Sequence, residues 1–244
     1  MKAVRAPLRI AAVQCVSQPG DIAGTVAEHV RQISAAADDG AHVVLFPELS
    51  LTGYEPDLID LHGTRIATGD PLLAPLSMIC QQRRVHAFVG APTASGSLPQ
   101  IGVLHIDHRG AIEVAYAKQH LSVGEVGIFS AGTTGTVVEI SGWKLSLAVC
   151  FDASVPTHAL AARKAGADAY LVSAFYLMGS EARIDAQMKN VTSQGMWSVL
   201  AQYCGGTGGG PACGRSGGWR PDGTEASRLG LGPGIALVEL ADEH

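Results

Sequence analysis

The 244 residues are 47% hydrophobic and 16% charged, with a formal net charge of −5. This is the composition of a globular chain long enough to bury a sizeable core. No basic stripe stands out, which argues against a nucleic-acid partner, and no apolar run reaches the roughly 18 residues that a membrane span needs.

The chain opens with Met1 to Arg9, which carries charges but no apolar core with a cleavage site behind it, so no signal peptide is read. Leu8 to Cys15 reads as a buried strand. A helix starts at Asp21, with Ile22, Val26, Val30 and Ile33 at helical spacing, and ends near Gly40. His42 to Phe46 is a second buried strand, stopped by Pro47, and a loop with Gly53 and Tyr54 follows. Pro71 to Arg83 reads as a helix, Val85 to Ala91 as a strand, and Ser95 to Ser97 as a turn. Two hairpins come next: Gly102 to Asp107 with Ala111 to Lys118, and Thr136 to Ile140 with Trp143 to Val149. Val155 to Lys164 is a helix closed by Gly166. Ala169 to Ser173 is a strand, Glu181 to Gln194 a helix and Trp197 to Tyr203 a strand. Two further strands lie around Gly214 to Arg220 and Ile235 to Leu240. This order suggests helices flanking stacked mixed sheets. No linker or internal repeat divides the chain, so one domain is expected over residues 1–244.

The five cysteines (Cys15, Cys80, Cys150, Cys204 and Cys213) form no C-x-x-C pair. They read as free thiols, mostly buried, in a reducing, cytoplasmic compartment. The run Gly205 to Gly210 lacks the spacing and the following Lys-Ser/Thr of a phosphate loop, and it reads as a flexible loop, at most a lid. The histidines are scattered and H-e-x-x-H is absent, so neither a metal site nor a cofactor is expected.

Three segments place a reactive side chain at or just beyond a strand end: Glu48 in Phe46-Pro47-Glu48-Leu49, Lys118 in Tyr116-Ala117-Lys118-Gln119, and Cys150 in Ala148-Val149-Cys150-Phe151-Asp152. A thiol can attack a carbonyl or nitrile carbon, a carboxylate can take and return its proton, and an ammonium can hold the developing oxyanion. Ser154-Val155-Pro156 after Cys150 has a helix-start pattern, whose N–H groups would favour a thiolate. Taken singly, Glu48 reads equally as a loop cap, Lys118 as a solvated side chain and Cys150 as core. His120, beside Lys118, reads as a structural or supporting group, since Glu48 already supplies a base.

With these motifs the chain resembles the nitrilase superfamily of carbon–nitrogen hydrolases, in its amidase-like branch. Phe46 to Leu49 with Leu51-Thr52-Gly53-Tyr54 is similar to the family's glutamate motif, Lys118-Gln119-His120-Leu121 to its lysine motif, and Cys150-Phe151-Asp152 with Pro156 to its nucleophile motif. Phe129 to Gly132 and Pro221-Asp222-Gly223 resemble further family segments. The resemblance implies an α/β fold, an α-β-β-α sandwich of two mixed sheets flanked by helices. It implies Glu48 as general base and acid, Lys118 and the Phe151 backbone N–H as oxyanion donors, and an acyl-thioester on Cys150. It also implies a second glutamate, for which Glu125 is the candidate and a solvated loop carboxylate the alternative. Tyr54, Ala174 and Phe175 fall on loops that can line a substrate pocket, although loop packing accounts for each equally well. A homodimer or larger homo-oligomer is the implied assembly, and a small amide the implied substrate. Thr157, the Asn190 to Gln194 stretch, Gln202 and the glycine run depart from the usual pattern. The same triad would serve a nitrilase or an N-carbamoyl-amine hydrolase, acyl transfer to an amine stays open, and a non-catalytic binding member of the fold is the alternative of a different class.

Overall fold

In a computed structural model, the structure describes residues 5–242; the first four residues of the segment read as lacking a signal peptide lie outside it. The first sheet contains β1 (Leu8–Cys15), β2 (Val43–Leu45), β3 (His86–Thr93), β4 (Gln100–Ile106) and β5 (Ile112–Ala117). The second is built on β6 (Val137–Ile140), β7 (Trp143–Val149), β8 (Ala169–Ala174) and β9 (Trp197–Thr207). The last four strands are β10 (Gly210–Cys213), β11 (Gly217–Trp219), β12 (Glu225–Arg228) and β13 (Gly234–Leu240). Within the first sheet the order is β5-β4-β3-β2-β1, closed on the far side by antiparallel β13. Within the second it is β6-β7-β8-β9, continued by β11 and β12. Parallel and antiparallel pairs occur in both. The sheets meet at one corner, where Gln14 and Cys15 of β1 pair with Gln202 and Tyr203 of β9, so the hydrogen-bonded ladder is continuous.

Helices cover the outer faces. The outer layer on the first sheet is α1 (Ile22–Asp38) and, after a short α2 (Pro56–His62), α3 (Ala74–Arg83). Val26, Ile33 and Ala36 of α1 and Leu76 and Cys80 of α3 share a core with Val44, Val89 and Leu104. The second sheet is covered by α4 (Pro156–Lys164) and α5 (Glu181–Thr192), whose Ala159, Ile184, Met188 and Val191 pack with Leu147 and Leu171. Residues of β1 to β3 such as Ile10, Leu45 and Phe88 belong to that same cluster, which marks the layer between the sheets. The α-β-β-α arrangement is therefore present.

Most expected elements lie where the sequence places them, and the differences have local causes. Asp21 caps α1 by accepting the Gly24 N–H at 2.8 Å. The helix expected from Pro71 starts as a tight turn over Pro71–Leu73, and α3 proper begins only at Ala74, because Pro75 tolerates just the first turn. The short α2 lies in a stretch the sequence leaves as loop, because only Ile59 of its seven residues is buried and it carries no periodic stripe. The glycine run is not a flexible loop, since Gly205 to Thr207 continue β9 and pair with β10 in an antiparallel hairpin. All five cysteines are buried free thiols. No helix among the described residues is long and apolar enough to cross a membrane.

One glycine matters directly for the site. A Cβ on Gly90 of β3 would lie 2.4 Å from both Leu49 N and Pro47 O, so β3 and the turn carrying Glu48 touch backbone to backbone. Gly90→Ala should therefore lower unfolding stability by about 1–3 kcal/mol, as overpacking does. It should also reduce activity beyond the loss of folded protein. Urea unfolding with kcat/KM measured on the folded fraction checks both, and a stable, fully active variant would refute the contact.

Candidate active site

Glu48, Lys118 and Cys150 each follow the last residue of a strand by one to three positions: β2 ends at Leu45, β5 at Ala117 and β7 at Val149. The three strand ends converge. The Lys118 ammonium lies 2.6 Å from Glu48 Oε1 and 2.6 Å from Glu125 Oε1, and all three side chains are removed from solvent. Glu125 is thus not a solvated loop carboxylate. Its Oε1 also accepts the Tyr54 hydroxyl at 2.9 Å, and its Oε2 accepts the Ser122 N–H at 2.7 Å.

Burial works against the charge on Lys118, but Glu48, Cys150 and Glu125 outweigh it and hold its pKa above the ordinary value. Burial, opposed by Lys118 and reinforced by Glu125, pushes Glu48 up to about 7. Its Oε2 is buried and has no hydrogen-bond partner among the described residues. An unsatisfied buried carboxylate oxygen is costly to keep.

Cys150 sits differently from the sequence expectation. It opens a short 3-10 turn, Cys150–Ser154, and α4 starts only at Pro156 after an extended Val155, so the thiol is not on the first turn of that helix. Its φ of 43° is left-handed, a strained conformation for a residue with a Cβ. The Cys150 S–H donates to the Phe175 carbonyl at 3.2 Å. Burial and the Glu48 carboxylate push the thiol pKa up against the pull of Lys118, so the resting group is a neutral thiol.

The surrounding side chains hold this turn. Asp152, fully buried, accepts the His120 N–H at 2.9 Å and the His120 ring at 2.8 Å on Oδ1. On Oδ2 it accepts the Tyr116 hydroxyl at 2.7 Å and the Val149 N–H at 3.0 Å. One carboxylate thereby ties the cysteine turn to the lysine segment, and His120 points to Asp152, which gives it the supporting position the sequence suggested. Tyr176 donates its hydroxyl to Gln187 Oε1 at 2.6 Å, and Gln187 Nε2 donates to Ser154 at 2.6 Å, bracing the turn from α5. Gln202 clasps Tyr176 like a strand partner, accepting its N–H at 3.0 Å and donating to its carbonyl at 2.8 Å. Behind Glu48, the His29 ring stacks on Phe46 at 4.0 Å and meets the Ser50 hydroxyl at 3.0 Å. Burial lowers the His29 pKa to about 3, so this buried ring is neutral. Asp152 stood in the quoted cysteine motif without a role. Tyr176, Gln187 and His29 have no local signal, because each acts through a contact with a distant segment.

The remaining expected pocket residues separate. Tyr54 and Phe175 stack at 4.4 Å and line a cavity of about 300 Å³ with Glu55, Asp57 and the Gly208-Gly209 tip. Two of its lining residues also touch the reactive cluster, the Tyr54 hydroxyl at Glu125 and the Phe175 carbonyl at Cys150, while the cluster side chains themselves do not line it. Ala174 is not a pocket residue: it is the fully buried last residue of β8, paired with Gln202. The Phe151 ring is exposed, so what it can offer the site is its backbone N–H, in the first turn where no helical acceptor exists. A larger cavity of about 600 Å³ beside α4 is lined by His120, Thr157 and His158 and does not reach Cys150. Among the described residues no cluster of ligating side chains suits a metal ion.

The family model described as carbon-nitrogen hydrolase matches residues 9–241. A "Hydrolase in pqqF 5'region" of Pseudomonas protegens is 29% identical over 96% of this chain and 82% of its own length. An "(R)-stereoselective amidase" of a Pseudomonas species is 29% identical over 68% of this chain and 60% of its own length. Among solved structures, a glutamate-to-leucine variant of the amidase from Nesterenkonia sp. AN1 superposes with a TM-score of 0.87 at 27% identity, over 96% of this chain and 91% of that one. In that structure the acetamide moiety of fluoroacetamide is covalently added to the active-site cysteine. The chain belongs to the carbon–nitrogen hydrolase family, in the amidase-like branch of the nitrilase superfamily.

Asp152→Asn would turn an NH2 toward donors now held by a carboxylate. It should lower stability by about 1–3 kcal/mol, the cost of leaving buried donors unmet. Activity should fall more steeply than the folded fraction. Thermal unfolding alongside single-turnover acylation checks this; unchanged values in both would remove Asp152 from its clamping role.

Proposed function

We propose that this carbon–nitrogen hydrolase cleaves small carboxamides through a thioester on Cys150, with Glu48 moving the protons and Lys118 and the Phe151 N–H holding the oxyanion. The observation that carries this reading is a buried glutamate whose Oε1 is held by Lys118 and whose Oε2 meets no hydrogen-bond partner among the described residues, beside a neutral thiol.

The Cys150 sulfur attacks the carboxamide carbon as its proton passes to Glu48, forming the C–S bond and placing the carbonyl electron pair on oxygen. Lys118, already charged and fixed by two carboxylates, faces that oxyanion without reorganising; one such donor is worth roughly 3–4 kcal/mol in the transition state. Collapse of the intermediate breaks the C–N bond, and Glu48 returns its proton to the departing nitrogen. Water then attacks the thioester with Glu48 again as base, releasing the acid and the thiol. A base with a pKa near neutrality suits both directions of transfer. Glu125 acts by fixing Lys118 and Tyr54. This reading carries a single catalytic domain over residues 1–244 and a homodimer or higher homo-oligomer, whose mass light scattering measures directly.

Intact-protein mass spectrometry after quenching with a small amide tests the nucleophile. An acyl adduct is expected on the wild type and none on Cys150→Ala, while an adduct on another cysteine would contradict the assignment. Matched nitrile, amide and N-carbamoyl substrates test the reaction, and turnover of the nitrile alone would overturn the amide reading.

Glu48 must be ionised to accept the thiol proton, so kcat/KM should fall as pH drops through about 7. The slope should approach about tenfold per pH unit. Glu48→Gln should lose about 10²–10⁴-fold in acylation rate. A profile flat down to the ordinary glutamate range, about pH 4.3, would contradict the role.

A further inference from the structure

We infer that the cavity outside Cys150 is a recognition site for a cationic group, so that the preferred substrates are small carboxamides bearing an ammonium, bound by Glu55 and the Tyr54–Phe175 rings. This rests on the amide-hydrolase reading above and adds the substrate class.

Glu55 is 8% exposed, yet it lines the cavity. Its Oε1 accepts the Gly208 N–H at 2.7 Å and the Ser17 hydroxyl at 3.3 Å. Among the described residues no hydrogen bond or ion pair reaches Oε2, and the cavity wall holds no lysine, arginine or histidine. The two neutral donors hold Oε1 and leave Oε2 as the oxygen turned to the cavity. A cation entering the cavity would complete the set.

The rest of the wall has the same chemistry. Tyr54 and Phe175 offer stacked aromatic surface, which attracts ammonium groups. Asp57 adds a second carboxylate to the lining. Beneath it, Lys118 is shared by Glu48 and Glu125, so the reactive cluster supplies no surplus positive charge. A cleft of one sign draws the opposite charge and repels its own.

The wall is also built for close contact. A Cβ on Gly209 would lie 2.5 Å from Phe175 Cε1 and 2.9 Å from Tyr54 Cδ1, and one on Gly208 would lie 2.2 Å from Glu55 Oε2. Only glycines allow the hairpin tip to press its backbone onto the ring pair and Glu55. Tyr54 joins the two compartments, with its ring in the cavity wall and its hydroxyl on Glu125. A carboxamide at Cys150 with a short aliphatic chain would therefore lead its ammonium along Tyr54 to Glu55.

The test compares isosteric pairs in which an ammonium replaces a methyl: glycinamide with propionamide, β-alaninamide with butyramide, and 5-aminopentanamide with hexanamide, at a pH that protonates the amine. Succinamate supplies the opposite charge. For at least one chain length the wild type should favour the cation in kcat/KM by roughly tenfold or more, with succinamate the poorest substrate. Glu55→Gln keeps an oxygen for Gly208 and Ser17 but loses the charge, so the cation-to-neutral ratio should fall toward about one. A defect in folding alone would lower both members of a pair and leave their ratio intact. Absence of cation preference at every length, or a preference that survives Glu55→Gln, would overturn the proposal. Calorimetry of the same pairs on Cys150→Ala separates the two readings. Tighter binding of the cation without turnover by the wild type would overturn hydrolysis and keep the cation site; equal binding would overturn the cation site and leave hydrolysis standing.

Discussion

The structure depends on one buried ammonium held between two buried carboxylates. Lys118 meets Glu48 and Glu125 at 2.6 Å each in a place without solvent. Desolvating three charges is expensive, and the arrangement is tolerable only when geometry and further hydrogen bonds compensate. That requirement brings three segments to one point: the turn after β2, the end of β5 and the loop that follows it. Burial there, reinforced by the second carboxylate and opposed by the ammonium, pushes Glu48 up to about 7. In the proposed mechanism this is what lets Glu48 exchange protons near neutral pH.

The second consequence concerns Cys150. A thiol beside a carboxylate in a buried site keeps its proton, and here it spends it on the Phe175 carbonyl. In the proposed mechanism, reactivity comes from proton transfer during attack, not from a standing thiolate. This makes position more important than pKa, which is consistent with the density of contacts around the cysteine turn. Asp152 anchors it to Tyr116 and His120, Gln187 to α5, and Gln202 fixes the Phe175–Tyr176 stretch that faces the sulfur. The left-handed φ at Cys150 is the strain that these contacts sustain.

Much of this was legible in the chain. Strands β1 and β7 fall on their expected residues because a continuous buried run bounded by polar or turn residues is a local property. The convergence of Glu48, Lys118 and Cys150 was suggested by three strand ends and by family resemblance; Glu125 was a weaker inference, because seven residues of loop do not say which way a carboxylate points. The helix-start pattern after Cys150 was real, but a 3-10 turn and the extended Val155 intervene. Ala174 was assigned to a loop because its strand extends one residue further through pairing with Gln202. The glycine run looked flexible in isolation, whereas β10 pairs with it and Glu55 and Phe175 seat its tip. The last two outcomes were settled by partners far away in sequence, Gln202 for Ala174 and Glu55 and Phe175 for the glycine tip.

The proposed mechanism rests on burial in the Lys118 cluster raising Glu48 to a pKa at which it can carry the proton. Infrared difference spectroscopy across a pH titration observes this directly, through the carbonyl stretch of a protonated carboxyl group. The mechanism requires such a band to appear as pH falls through about 7 in the wild type and to be missing in Glu48→Gln. A wild-type protein whose carboxyl bands all titrate in the ordinary range near 4, with nothing lost in the variant, would contradict it.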